Sequence, residues 1–292
     1  MTASPALQVA ACGGWVEVGD IAGQFFTRRN PRRDERRVAR LAQFQKEQIR
    51  MAQSPDPLSA IFPIMLVEEG ARHPFSFLGT GFLIDRRGTF LTAKHVFTEA
   101  GRPDGAGCHA VIGAGWSPTP YPMSEIRLCR EFDVAVGRME PIEEMVTLEL
   151  ADGDAPMSAD ILTVEYSQTR PVLMPDGRIT IEFRRYFHKG HVLSYYEEEP
   201  CLGKHTRLLD LSFPALKGAS GAPIIAWPLG FPLKVVGLII GNVSRELVPA
   251  QLERVVERGQ VIEEIKYVVP IGLALSWYHI RGFLQSLGIG GG

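Results

Sequence analysis

From residue 61 onward the chain is a succession of short apolar runs, each closed by glycine, proline or charged residues. Runs of four to eight residues rich in Val, Ile, Leu and Phe are too short for helices and predict strands. Residues 61–67, 79–84, 89–92 and 134–139 read as a first β unit. A second is read at 180–187, 191–195, 207–211, 222–226, 235–240 and 266–269, with 140–157 as the connection. After Pro270, the positions Leu273, Leu275, Trp277, Ile280 and Phe283 predict a closing helix over about 271–287, ended by the Gly-rich tail.

Residues 1–57 have a different texture. Arg28, Arg29, Arg32, Arg33, Arg36, Arg37 and Arg40 form a basic run, and Val38, Leu41, Phe44, Ile49 and Met51 follow with partial helical spacing. One amphipathic helix over 34–53 is predicted, stopped by Pro55 and Pro57. The expected organisation is therefore an Arg-rich helical arm, 1–57, and a mainly β domain, 58–292. Such an arm either packs on the domain with its arginines solvated or serves as a partner or regulatory segment.

Composition narrows the class further. The 292 residues are 45% hydrophobic and 22% charged, which suits a globular protein with one large core or two smaller ones. A formal net charge of -2 gives no general attraction to nucleic acid or to anionic membrane, so neither is expected as a partner. No apolar stretch approaches the ~18 residues of a membrane span. The first residues lack a basic region and an apolar run, so no secretory signal is read. Val9-Ala10-Ala11-Cys12 resembles a lipoprotein cleavage box, yet Met1 to Gln8 provide neither positive charge nor an apolar run, and no lipid anchor is expected. Cys12, Cys108, Cys129 and Cys201 show neither close pairing nor metal-site spacing; they read as mostly free thiols in a cytoplasmic protein needing no metal or cofactor.

Three separated segments carry candidate chemistry. Ser220 lies in Lys217-Gly218-Ala219-Ser220-Gly221, where glycines on either side allow a tight turn with the amides of Gly218 and Ser220 aimed at one oxyanion position. A serine hydroxyl is a poor nucleophile without a base within reach. His95 follows Phe90-Leu91-Thr92-Ala93, where a strand should end, and is the best placed of seven histidines. Asp133 stands at the mouth of the run Val134-Ala135-Val136, where an unpaired carboxylate is costly and a histidine N–H is a suitable donor. Taken singly, these segments read equally as a glycine hairpin, a structural histidine and a strand cap.

Together they resemble the trypsin-like (chymotrypsin-fold) serine peptidases, closest to the bacterial HtrA-like branch. The resemblance rests on Gly79-Thr80-Gly81-Phe82, Thr92-Ala93-Lys94-His95-Val96, Phe132-Asp133-Val134-Ala135-Val136, Gly190-His191-Val192-Leu193-Ser194, Gly218-Ala219-Ser220-Gly221-Ala222-Pro223 and Tyr267-Val268-Val269-Pro270-Ile271. It implies an all-β fold of two packed six-stranded antiparallel barrels, about 58–140 and 158–270, with a C-terminal helix. It also implies a serine endopeptidase acting through an acyl-enzyme, with His95, Asp133 and Ser220 as the triad and Gly218 and Ser220 as the oxyanion hole. Substrate walls are expected at Phe213, Pro214, Ala215, Leu216 and Lys217 and at Ile240, Gly241 and Asn242. Pro214 at the pocket base implies an uncharged side chain before the cleaved bond. Glu197 to Glu199 are expected in a solvated loop.

The departures are informative. Val96 stands where a cysteine is common in secreted relatives, and no PDZ module is expected after the helix. Ala219 stands where an activating aspartate is common, and Ile240 lacks the hydroxyl that often supports the triad carboxylate. A latent peptidase switched on by a protein partner through the arm is one implication. The alternative is a catalytically unproductive binding or sensor module, with the arm or the segment 152–182 carrying the interaction.

Overall fold

In the computed structural model the described residues are 10–11, 14–15, 57–68, 75–112, 119–142, 146–173, 179–198, 206–227, 234–256 and 259–289. The chain divides into two compact units, Met1–Pro55 and Asp56–Gly292. In the first, β1 (Ala10–Ala11) pairs antiparallel with β2 (Gly14–Trp15). The helix expected over 34–53, Cys12, Cys201 and Glu199 lie outside the described residues.

The second unit begins with a 3-10 turn, Pro57–Ala60, and a closed six-stranded barrel. Its strands are β3 (Ile61–Val67), β4 (Phe75–Leu83), β5 (Thr89–Thr92), β6 (Cys108–Ile112), β7 (Thr119–Leu128) and β8 (Ala135–Met139), in spatial order β3-β4-β5-β8-β7-β6. Phe62, Phe82 and Phe90 are fully buried within it. The rings of Phe62 and Phe90 meet edge to face at 5.8 Å, the geometry that aromatic quadrupoles favour. The reading of apolar runs missed β6 and β7. In β7, Pro120, Pro122, Glu125 and Arg127 interrupt any run, and most of the strand is exposed.

After β9 (Glu149–Leu150) comes a second ring, β10 (Asp160–Glu165), β13 (Tyr186–Glu198), β14 (Thr206–Leu211), β17 (Gly259–Ser276), β16 (Lys234–Val256) and β15 (Pro223–Ala226), closed by the β15–β16 pairing. β11 (Arg170–Leu173) and β12 (Ile179–Glu182) form a separate two-stranded sheet. Two packed antiparallel barrels of six strands are thus the architecture.

Several sequence expectations are corrected. The strand expected over 180–187 is divided, because residues 183–185 leave the ladder between β12 and β13. The segment 152–182, offered as an interaction element, contains β10, which is integral to the second barrel and pairs on both edges. The strands expected at 235–240 and 266–269 are parts of the far longer ribbon β16–β17, paired out to Val256↔Gly259. Glu197 and Glu198 are not in a loop, since they pair with Arg207 and Thr206.

Leu273 and Leu275 are likewise strand residues, with ladder partners in β14 and β16. The closing helix starts later. Two helices are described, the single turn α1 (His95–Thr98) and α2 (Trp277–Ser286). α2 begins at Ser276, whose side chain accepts from the Tyr278 N–H at 3.2 Å, a standard N-cap arrangement. Asp154 accepts from the same N–H and from the Ser276 hydroxyl, placing negative charge at the helix start. Trp277, His279, Ile280 and Leu284 are its buried residues. Among the described residues, no helix is long and apolar enough to cross a membrane. Cys108 and Cys129 are buried free thiols, and burial pushes Cys108 up to about 11.

Candidate active site

His95 opens α1 immediately after β5, and Asp133 sits in the turn before β8. β5 and β8 are ladder neighbours, with Thr92 opposite Ala135, so the end of one strand and the start of the other come together. Two further bonds fix this corner. The Lys94 ammonium donates to the Cys129 carbonyl at 3.1 Å, and the Cys129 N–H donates to the Val134 carbonyl at 3.0 Å. The Asp133 carboxylate accepts the His95 backbone N–H at 2.9 Å and lies 2.6 Å from Nδ1 of the ring. That contact leaves Nε2 pointing away from the carboxylate, the orientation a general base requires. The Asp133 hydrogen bond raises the His95 pKa above its usual 6.5, against an opposing effect of burial. Among the described residues Asp133 accepts from His95 alone.

Ser220 lies in the loop between β14 and β15, and that loop is pressed into the first barrel. The Thr80 N–H of β4 donates to the Ser220 carbonyl at 2.9 Å, while the Thr80 hydroxyl donates to the Gly218 carbonyl at 3.0 Å and accepts from the Tyr166 N–H at 3.2 Å. The Thr92 hydroxyl in turn donates to the Thr80 carbonyl at 2.8 Å. Gly221 has φ +87, and a Cβ there would lie 2.1 Å from both the Thr80 carbonyl oxygen and the Thr92 hydroxyl, and 3.0 Å from the Ala93 nitrogen. Only glycine permits this approach, which brings the residue after Ser220 against the residues just before His95. Gly218, at φ +98, is covered by the Phe77 ring.

Sequence reasoning missed Phe77, Thr80 and Thr92 as fasteners of this loop. The one local signal was a small polar residue between Gly79 and Gly81.

Within the loop, the Ala219 N–H bonds to Leu216 and the Gly221 N–H to Ile239, whereas the amides of Gly218 and Ser220 have no acceptor among the described residues. Two free donors flanking a serine are what a developing oxyanion needs. The Ser220 hydroxyl also makes no hydrogen bond among the described residues.

The expected substrate walls divide by burial: Phe213 and Ala215 are buried, Leu216 and Ile240 half-buried, and Pro214, Lys217 and Asn242 exposed. The Asn242 side chain bridges the two walls to Ala215. A cavity of about 910 Å³ lies away from this cleft, between residues 128–132 and α2, and includes neither His95 nor Ser220 in its lining. Among the described residues no cluster of side chains is suited to a metal ion.

The trypsin-like peptidase domain family matches residues 79–237, more than half of the chain. No curated protein matches by sequence. Among solved structures, an HtrA-type protease, AlgW, with a decapeptide is 14% identical, with a TM-score of 0.49, over 81% of this chain and 65% of its own length. The Rv3671c protease from M. tuberculosis in its active form is 17% identical, with a TM-score of 0.49, over 81% of this chain and 88% of its own. The MamO protease domain from Magnetospirillum magneticum is 14% identical, with a TM-score of 0.49, over 78% of this chain and 96% of its own.

Proposed function

The chain belongs to the family of trypsin-like peptidase domains, and from that premise we propose that it is a serine endopeptidase working through Ser220, His95 and Asp133. The observation that carries the reading is the 2.6 Å contact of Asp133 with His95, set beside a Ser220 loop that Gly221 brings against Thr92 and Ala93. In this mechanism the Ser220 hydroxyl attacks the scissile carbonyl carbon, and its proton passes to Nε2 of His95. Asp133 holds the ring in the required tautomer and stabilises the imidazolium. The amides of Gly218 and Ser220 donate to the tetrahedral oxyanion. Collapse breaks the C–N bond as His95 returns the proton to the leaving amine, which leaves an ester on Ser220. Water then attacks that ester with His95 again as base, releasing acid and free serine.

A fluorophosphonate probe tests the proposal. Ser220 should be labelled, and both Ser220→Ala and His95→Ala should abolish labelling. A folded protein that never labels would favour the unproductive binding module instead. A latent form of the same enzyme is favoured by the Ser220 hydroxyl, which makes no hydrogen bond among the described residues. In that form, labelling would accelerate when a peptide substrate is present.

A further inference from the structure

Building on the peptidase reading, we propose that Asn242 is a crossbar in the acyl side-chain pocket, restricting cleavage to bonds that follow glycine, alanine or serine. The pocket position follows from how its flanks reach the nucleophile. On one side the loop from Phe213 leads directly into Ser220, folded by the 2.9 Å bond from the Ala219 N–H to the Leu216 carbonyl. On the other side β16 is tied to the same turn, with the Gly221 N–H bonded to the Ile239 carbonyl at 2.8 Å and the Ile239 N–H to the Ala222 carbonyl at 2.9 Å. On the peptidase reading, a residue esterified to Ser220 would direct its side chain between these two segments, which both converge on the Ser220 turn. Asn242, three residues beyond Ile239, spans them. Its Oδ1 accepts the Ala215 N–H at 2.7 Å, and its Nδ2 donates to the Ala215 carbonyl at 2.7 Å.

Both functions of the carboxamide and both backbone groups of Ala215 are thereby used, so the amide orientation is fixed by donor and acceptor complementarity. The back wall gives no further depth. Gly272 is the ladder partner of Asn242, and its N–H donates to the Phe213 carbonyl at 2.9 Å. A Cβ on Gly272 would stand 2.4 Å from that carbonyl oxygen and 3.3 Å from the Ala215 nitrogen. The wall strand is therefore in direct contact with the loop that the crossbar ties down. The crossbar thus sets the depth open to a side chain, and a leucine or phenylalanine reaching past it must displace the amide and break two hydrogen bonds.

The test compares peptides that differ only at the residue before the scissile bond, with cleavage after alanine as the internal reference. In the wild type, kcat/KM after alanine should exceed that after phenylalanine by roughly tenfold to 200-fold, the range for pocket misfit. Asn242→Ala and Asn242→Gly should lower that ratio by about tenfold or more, by raising cleavage after phenylalanine. Asn242→Asp, which keeps size and acceptor but loses the donor, should fall between. Thermal melts of all variants separate a pocket effect from unfolding. A wild type that prefers leucine or phenylalanine overturns the inference, as does an unchanged ratio in folded Ala and Gly variants. If Ser220 labels with fluorophosphonate while the ratio stays fixed, the crossbar fails and the peptidase reading stands. If Ser220 never labels, both fail together.

Discussion

Besides the exposed His191–Asp160 contact at 3.0 Å in the second barrel, each barrel holds a shielded histidine–carboxylate pair, and these two pairs are built differently. In the first, His95 and Asp133 are 2.6 Å apart with side chains 24% and 28% exposed, and the carboxylate takes a backbone N–H as well as the ring. In the second, His188 and Glu165 are 2.9 Å apart, but the Glu165 side chain is only 1% exposed. Its Oε1 takes both His188 and the Ser167 hydroxyl, while its Oε2 has no partner among the described residues. Burial raises the Glu165 pKa above its usual 4.5, against the Ser167 hydrogen bond and the His188 charge. The His188 ring is also stacked on Phe213 at 5.5 Å. A histidine–carboxylate contact is thus not in itself a catalytic signature. What distinguishes the first pair is a carboxylate with donors at both oxygens and a serine loop with two free amides packed alongside.

Removing each histidine gives the largest separation between the pairs. His95→Ala should lower kcat by about 10⁴-fold or more, as loss of a triad base does. His188→Ala should change it less than about tenfold, the effect of a neighbouring wall that shifts without chemistry. Steady-state kinetics on one peptide cleaved after alanine decides the matter, and a comparable loss from both variants would erase the distinction.

A smaller effect is a shift in pH dependence. His95 acts as a base only when neutral, and Asp133 raises its pKa above 6.5, so kcat/KM should fall with acid through a midpoint above 6.5. Asp133→Asn removes the hydrogen bond that raises the pKa, and the midpoint should move down as the rate drops about 10⁴-fold. The linked stability has the same sign. With the folded-state pKa raised, this contact stabilises fully below about 6.5 and fades as pH rises through the folded value. Glu165→Gln should leave the activity midpoint in place.

The sequence displayed the first pair and concealed the second for one physical reason. Strand 61–67 was readable to the residue because its apolar side chains form an unbroken run, nearly all buried, and 89–92 because the β-favouring Thr-Phe-Leu-Thr, all buried, directly follows Gly88. His95 and Asp133 were readable because each ends or begins such a run. β10 is just as buried, yet Thr163 and Glu165 interrupt its apolar pattern while themselves being 0% exposed. A reading based on apolar runs passes over a strand whose inward face is polar. The fasteners of the Ser220 loop were hidden for another reason, since Thr80 and Gly218 are 138 positions apart and the Asn242–Ala215 bridge spans 27. Contacts of that range are set by barrel closure, and no local pattern reports them.

The smallest expected effect concerns the buried carboxyl itself. Glu165→Gln keeps the side-chain shape and an acceptor for Ser167 and His188, but it cannot ionise. Because the folded-state pKa of Glu165 lies above 4.5, wild-type stability linked to this group is full below about 4.5 and declines as pH rises through the folded value. The amide does not incur that loss. Its N–H replaces an oxygen that already lacked a partner, so the hydrogen-bonding cost changes little. Denaturant titrations should show the variant equal to the wild type near pH 4 and more stable by about 1 kcal/mol near pH 8, within the usual range for a buried polar group. The opposite slope, with the variant weaker at pH 8, would mean that ionised Glu165 is held by a charged His188 strongly enough to outweigh its burial. The second pair would then be a true ion pair at pH 8, and burial would no longer decide its protonation.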